Sequence, residues 1–231
     1  LAIEAARKAA SQVNDETLKA VPLLAGFRVV PYFALTRFGK WDEMLREPEP
    51  PAFSAYMRGN WLYARGTALL GKGQTDSAEE ELEKLKELMA DKSLDQPLFS
   101  PNTGRAILSI AEDVLAGEIA AAKKDYVTAI AHLERAVRLE DALVYTEPSE
   151  FHYPPRHALG AILLEARRPA EAETVYWEDL RRNKDNGWAL FGLTQALKAQ
   201  NKNEEAALVE ARFKKAWEHA DVTLSASRFG R

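Results

Sequence analysis

Apolar residues recur along most of the chain at three- and four-residue spacing, the signature of amphipathic helices. In 110–143, Ala116, Ile119 and Ala120 line one stripe and Ile130, Leu133 and Val137 a second, with a polar break between them. Such stretches predict two helices apiece, divided by a Gly, Asn or Arg-Pro interruption. The pattern then repeats itself. Residues 157–180 align without gaps on 191–214, so that Leu159 falls on Leu193, Leu163 on Leu197, Ala172 on Ala206 and Tyr176 on Glu210, each 34 residues away. The same step carries Met44 onto Ala78, and a further copy holds Gly117 and Ala129 at equivalent positions. Small residues such as Ala129, Ala172 and Ala206 sit early in each second helix, where two helices approach closely. One such unit cannot bury its own apolar face, so neighbours must stack to supply the core.

These features resemble the tetratricopeptide repeat family. Leu159-Gly160 with Ala172, Gly66 with Gly73 and Ala78, and Gly117 with Asp125-Tyr126 and Ala129 match its pattern, while Gly39, Trp41 and Met44 give a looser first copy. The resemblance implies an all-α fold: a right-handed α-solenoid of about five helix pairs with terminal capping helices. Repeats are assigned to 25–58, 59–92, 110–143, 153–186 and 187–220, within a single solenoid spanning 1–231.

Several segments depart from that pattern. Two inserts, 93–109 and 144–152, interrupt the repeats, and Pro31 stands where the family has Leu. A proline there is expected to kink the helix or delay its start, because it lacks a backbone donor. The first insert carries Leu94, Pro97, Leu98, Phe99 and Pro101; it either shapes the groove or bridges extra turns of a long helix capped by Thr103. Residues 1–24 read as a partial repeat, with Ile3, Ala6 and Ala10 on one helical face. They resemble the second helix of a longer solenoid, or the start of a chain whose leader is removed. Phe213 and Trp217 extend the last helix, and 221–231, with Val222, Leu224 and Phe229, reads as a capping tail.

Composition narrows the chemistry. A formal charge of −4 argues against a generic polyanion binder, so no nucleic-acid partner is expected. Without cysteine there is no disulfide, zinc-thiolate site, iron–sulfur cluster or thiol nucleophile. No apolar run approaches the ~20 residues that cross a bilayer. Gly66, Gly71 and Lys72 nearly match a phosphate-binding loop, but Gly73 stands where Ser or Thr is required and no strand precedes. Glu79, Glu80, Glu81, Glu83 and Glu87, interleaved with Lys84 and Lys86, read as a solvated helix face. His152 and His157 are five apart, a spacing that does not place two ligands on one helical face, so neither metal nor cofactor is expected. No hydrolase motif is present, and the chain reads as non-catalytic.

By the family resemblance, the first helices line a concave groove at repeat positions 2, 5 and 9. Those positions hold Val29 and Phe33, Asn60, Tyr63 and Thr67, Val114 and Glu118, His157 and Ala161, and Trp188, Phe191 and Gln195. The Lys and Asn with which some members grip a carboxylate are replaced by Val29/Phe33 and Tyr63/Thr67, so that clamp is not implied. The groove is apolar and aromatic instead, which implies a peptide or protein partner unless the rings pack on the chain's own inserts. The candidate partner-binding residues are Phe33, Tyr63, His157, Trp188, Phe191 and Gln195, with Glu147 and Arg156 from the aromatic-rich loop 145–157 fixing orientation. Left within the loop, Glu147 and Arg156 are expected to pair with each other. The function implied is an adaptor. The alternatives are a regulatory or substrate-presenting segment of a larger enzyme, and a small-ligand or metal receptor at the loop.

Overall fold

The computed structural model describes residues 1–97 and 101–228; Leu98, Phe99 and Phe229, named above, lie outside them. The described residues are all-helical, with one isolated backbone bridge between Pro97 and Thr103. The helices are α1 (Ala2–Ser11), α2 (Asp15–Ala20), α3 (Ala25–Arg37), α4 (Trp41–Arg46), α5 (Ala55–Gly71), α6 (Thr75–Leu88), α7 (Gly104–Ala122), α8 (Tyr126–Asp141), α9 (Pro155–Glu165), α10 (Pro169–Arg182), α11 (Gly187–Ala199) and α12 (Asn203–Ala216). None of them is long and apolar enough to cross a membrane.

Five three-residue turns join α3 to α4, α5 to α6, α7 to α8, α9 to α10 and α11 to α12. The middle residue of each is left-handed: Gly39, Gly73, Lys124, Arg167 and Asn201, with φ between 59° and 75°. In every turn the next amide reaches back five residues, as Gln74 N–H does to the Leu69 carbonyl (2.9 Å) and Lys202 N–H to Leu197 (3.0 Å). This double-bonded helix end satisfies the last carbonyls of the first helix. It also fixes the phase of the second helix. Met44, Ala78, Ala129, Ala172 and Ala206 each donate to the carbonyl four residues back, at the end of the turn. All five are buried against the preceding helix.

The first helices pack in order, α3 on α5, α5 on α7, α7 on α9 and α9 on α11, while α6, α8 and α10 each also touch the first helix of the following pair. The core therefore runs continuously from Val13 to Val209. Side-chain caps start several helices: Asn14 accepts from Thr17 N–H (2.8 Å), Asp125 from Thr128 N–H (3.1 Å) and Asn186 from Trp188 N–H (3.0 Å).

Pro31 neither starts nor ends a helix. It lies buried inside α3, which begins at Ala25 after a 3-10 turn at Pro22–Leu24. The first insert bridges extra turns. Thr103 accepts from Ala106 N–H (3.1 Å), and α7 starts at Gly104 rather than at 110. Leu94 anchors the bridge, buried in a 3-10 turn at Lys92–Asp95.

Candidate functional site: the inner face and its two occupants

The two inserts meet each other. Asn102, from the first, donates through Nδ2 to the Val144 carbonyl (2.8 Å) and accepts from the Val144 N–H (2.9 Å); it also donates to the Glu150 carboxylate. So held, the loop 144–154 lies across the first helices. His152 stacks flat on Phe33, centroids 4.0 Å apart and 4° from parallel. Phe151 and His152 bracket Tyr63, at 6.0 and 5.9 Å, and Tyr153 meets the His157 ring edge-on at 5.7 Å. Tyr63, Phe151 and Tyr153 are fully buried as a result. Burial, with the Arg37 guanidinium nearby, pushes the His152 imidazole down to about 3.

The expected groove residues therefore have different fates. Tyr63 and His157 do face inward, yet neither has exposed surface to offer a partner, because the chain's own loop covers them. His157 Nε2 lies 3.1 Å from the Asp179 carboxylate, which makes that nitrogen the donor; burial lowers the imidazole pKa, against the pull of Asp179. Phe33 and Trp188 stay half-buried at the rim, Phe191 meets Phe213 of α12 at 5.6 Å, and Gln195 is exposed. The expected Glu147–Arg156 pair is absent. Arg156 is buried and reaches across to the end of α8, forking onto Asp141 (2.8 and 2.6 Å) and touching Glu140 (3.3 Å). Glu147 is exposed and accepts from the Tyr145 hydroxyl. The reason is position: Arg156 lies in the first turn of α9, which packs on α8, whereas Glu147 is part of the loop's outer bend.

Other motifs resolve into packing. Gly66 and Gly71 are both inside α5, facing Leu115 and Trp41, and Lys72 pairs with Asp42. His152 and His157 do not converge, and no group of described residues could hold a metal ion. The acidic run is not wholly solvated: Glu81 is buried, bonded to Lys84 (3.0 Å) and facing Arg65 of α5 (3.5 Å).

A cavity of about 1180 Å³ remains beside the loop, between α1, α3 and the α10–α11 junction. Ala6, Val30 and Phe33 give it apolar walls; Arg37, Glu140 and Asn186 form polar ones. Arg37 is the group that sequence reasoning missed. Its guanidinium lies 3.6 Å over the Trp188 ring and 5.2 Å from Tyr153, which holds it in place by cation–π attraction. Among the described residues no carboxylate lies in ion-pair reach of it, and its buried Nη1 has no hydrogen-bond partner. Arginine in a helix's last turn is an ordinary dipole partner, so nothing in the sequence singled it out.

The segment after α12 also packs back on the helices. Ser227 and Arg228 are buried among α7, α9 and α10. No family model, curated protein or solved structure matches the chain.

Proposed function

We propose that the chain is a non-catalytic adaptor, built as a tetratricopeptide-like solenoid, that binds a segment of another polypeptide. The open cavity beside Phe33 is where this reading places the partner, since loop 144–154 already covers Tyr63 and His157. The observation that carries it is the pairing of apolar walls with Arg37. A cation with no carboxylate in ion-pair reach among the described residues, at the side of an apolar cavity, favours a segment that places an acidic group beside apolar side chains. Trp188 keeps the guanidinium aimed without neutralising it. The five helix pairs supply a stiff frame, which lowers the ordering cost of binding.

The test is affinity capture from native lysate with Ala34→Trp, which puts a bulky ring into the cavity, and Arg37→Gln, which removes its charge. A polypeptide retained by wild type and lost by both variants, at unchanged helicity, is the expected result. Retention of the same polypeptide by both folded variants would sink the reading.

A further inference from the structure

The segment 221–228 leaves α12 without helix and crosses to helices far from it. Trp217 Nε1–H holds its start through the Val222 carbonyl (2.6 Å). Ser227 Oγ donates to the His157 carbonyl of α9 (2.8 Å) and shares a hydrogen bond with the Tyr176 hydroxyl of α10 (2.7 Å). The Arg228 guanidinium joins Glu118 of α7 and Glu165 of α9, the latter through Nη2 (2.6 Å) and Nε (3.1 Å).

These contacts identify side chains and not merely a backbone. A small hydroxyl is met by a carbonyl and a phenol, and a planar fork of donors is met by carboxylates from two helices. Among the described residues the rest of the segment is less covered: Val222 and Thr223 are exposed, and Leu224 and Ala226 are only partly covered. Nor does it act as a lid on the terminal helix, since Leu208 of α12 stays 72% exposed while the segment runs to α7 and α9. Glu118 keeps spare acceptor capacity, for its buried Oε1 has no hydrogen-bond partner among the described residues. With the segment lifted away, two acidic side chains would face one another in a partly buried seat, which calls for a cation.

We propose that this seat is a recognition site for a Ser-Arg or Thr-Arg segment of a partner polypeptide, occupied in cis by residues 221–228 until the partner displaces them. The site is separate from the cavity beside Arg37 and stands whether or not that cavity binds anything. A tethered segment competes at an effective concentration in the millimolar range, so a partner must match that concentration or add further contacts to enter the wild-type chain.

The probe is a labelled, amidated peptide with the sequence of residues 221–228, titrated into the full chain and read by fluorescence anisotropy. Arg228→Ala, which weakens the cis segment, should bind it about ten-fold more tightly than wild type, as expected when a tethered competitor is lost. Glu118→Gln with Glu165→Gln, added to Arg228→Ala, should remove that binding, and a peptide with Ala for its arginine should not bind. A folded Arg228→Ala chain that ignores the peptide, or binds both peptides alike, overturns the proposal. Wild type supplies a second readout independent of that variant's folding. Excess peptide should shift the amide resonances of Ser227 and Arg228, and unchanged resonances at about 1 mM peptide also overturn it.

Discussion

The Tyr176 hydroxyl lies 2.7 Å from the Ser227 hydroxyl, across 51 residues of chain. The same tyrosine ring is wedged between α9 and α11. A methyl group added at Gly160 would come within 2.4 Å of it, and one at Gly192 within 2.1 Å. Glycine is required at both positions by the ring. Gly192→Ala should therefore lower stability by about 1–3 kcal/mol, the usual cost of overpacking, as read by urea unfolding. Tyr176→Phe keeps the wedge and removes only the hydroxyl, so its cost should stay near about 1 kcal/mol.

The five left-handed turn positions give a second prediction. Lys124 and Arg167 occupy a conformation in which a Cβ atom costs energy, whereas Gly39 and Gly73 share that conformation without a Cβ. Lys124→Gly and Arg167→Gly should each raise stability by about 0.5–1 kcal/mol, the strain relieved minus the extra backbone entropy lost. Gly73→Ala should lower it by about 1 kcal/mol although nothing lies near its Cβ position, because the conformation alone is unfavourable. Chemical denaturation of the three variants checks both signs.

His152 makes stability depend on pH in a definite direction. The folded state keeps the ring neutral down to about 3, while an unfolded chain protonates it near its ordinary value of about 6.5. The unfolded state thus holds more protons between these values, and stability falls as pH drops through the window. Glu140 works against this, since burial, opposed by Arg156, pushes its carboxyl up to about 7 and favours the folded state as pH falls from there. His152→Phe preserves the stack on Phe33 and removes the histidine's titration. The variant should gain on wild type by about 2 kcal/mol between pH 6.5 and pH 5, at 1.36 kcal/mol per pH unit. Thermal unfolding of both proteins across that range measures it.

Asn102 joins the two inserts through the backbone donor and acceptor of one residue, Val144. Asn102→Ala leaves the Val144 N–H and carbonyl without their side-chain partner and should cost about 1–3 kcal/mol. Faster hydrogen exchange over 144–152 than over α7 would locate the loss in the loop; uniform exchange would mean that the inserts hold independently.

The helical class was legible from the apolar spacing, and the break within each pair was legible because three-residue turns leave no freedom in register. Ala78, Ala129, Ala172 and Ala206 recur where each second helix first touches the one before it. The glycines at two turns were readable as such, but Lys124 and Arg167 were not, since backbone hydrogen bonding holds them where their side chains would not choose to be. The inner face was harder to read. Tyr63 and His157 point inward as the spacing implies, but periodicity says nothing about a loop more than eighty residues from Tyr63 lying over it. That placement depends on Asn102 and on the aromatic series 151–153, and neither is periodic. Arg156 chose Asp141 over Glu147 because helix packing, not sequence proximity, set its reach.

The ion pair between Arg228 and Glu118 spans 110 residues. A stack of helix pairs is otherwise an assembly of short-range contacts, the topology that closes small loops and folds fast. This pair joins residues far apart in sequence, so it can form only after the helices between them have stacked. The three C-terminal helix pairs can thus form early from local contacts, while the seat between α7 and α9 fills last. Folding of this region should then end in a late, low-amplitude docking phase that Arg228→Ala removes.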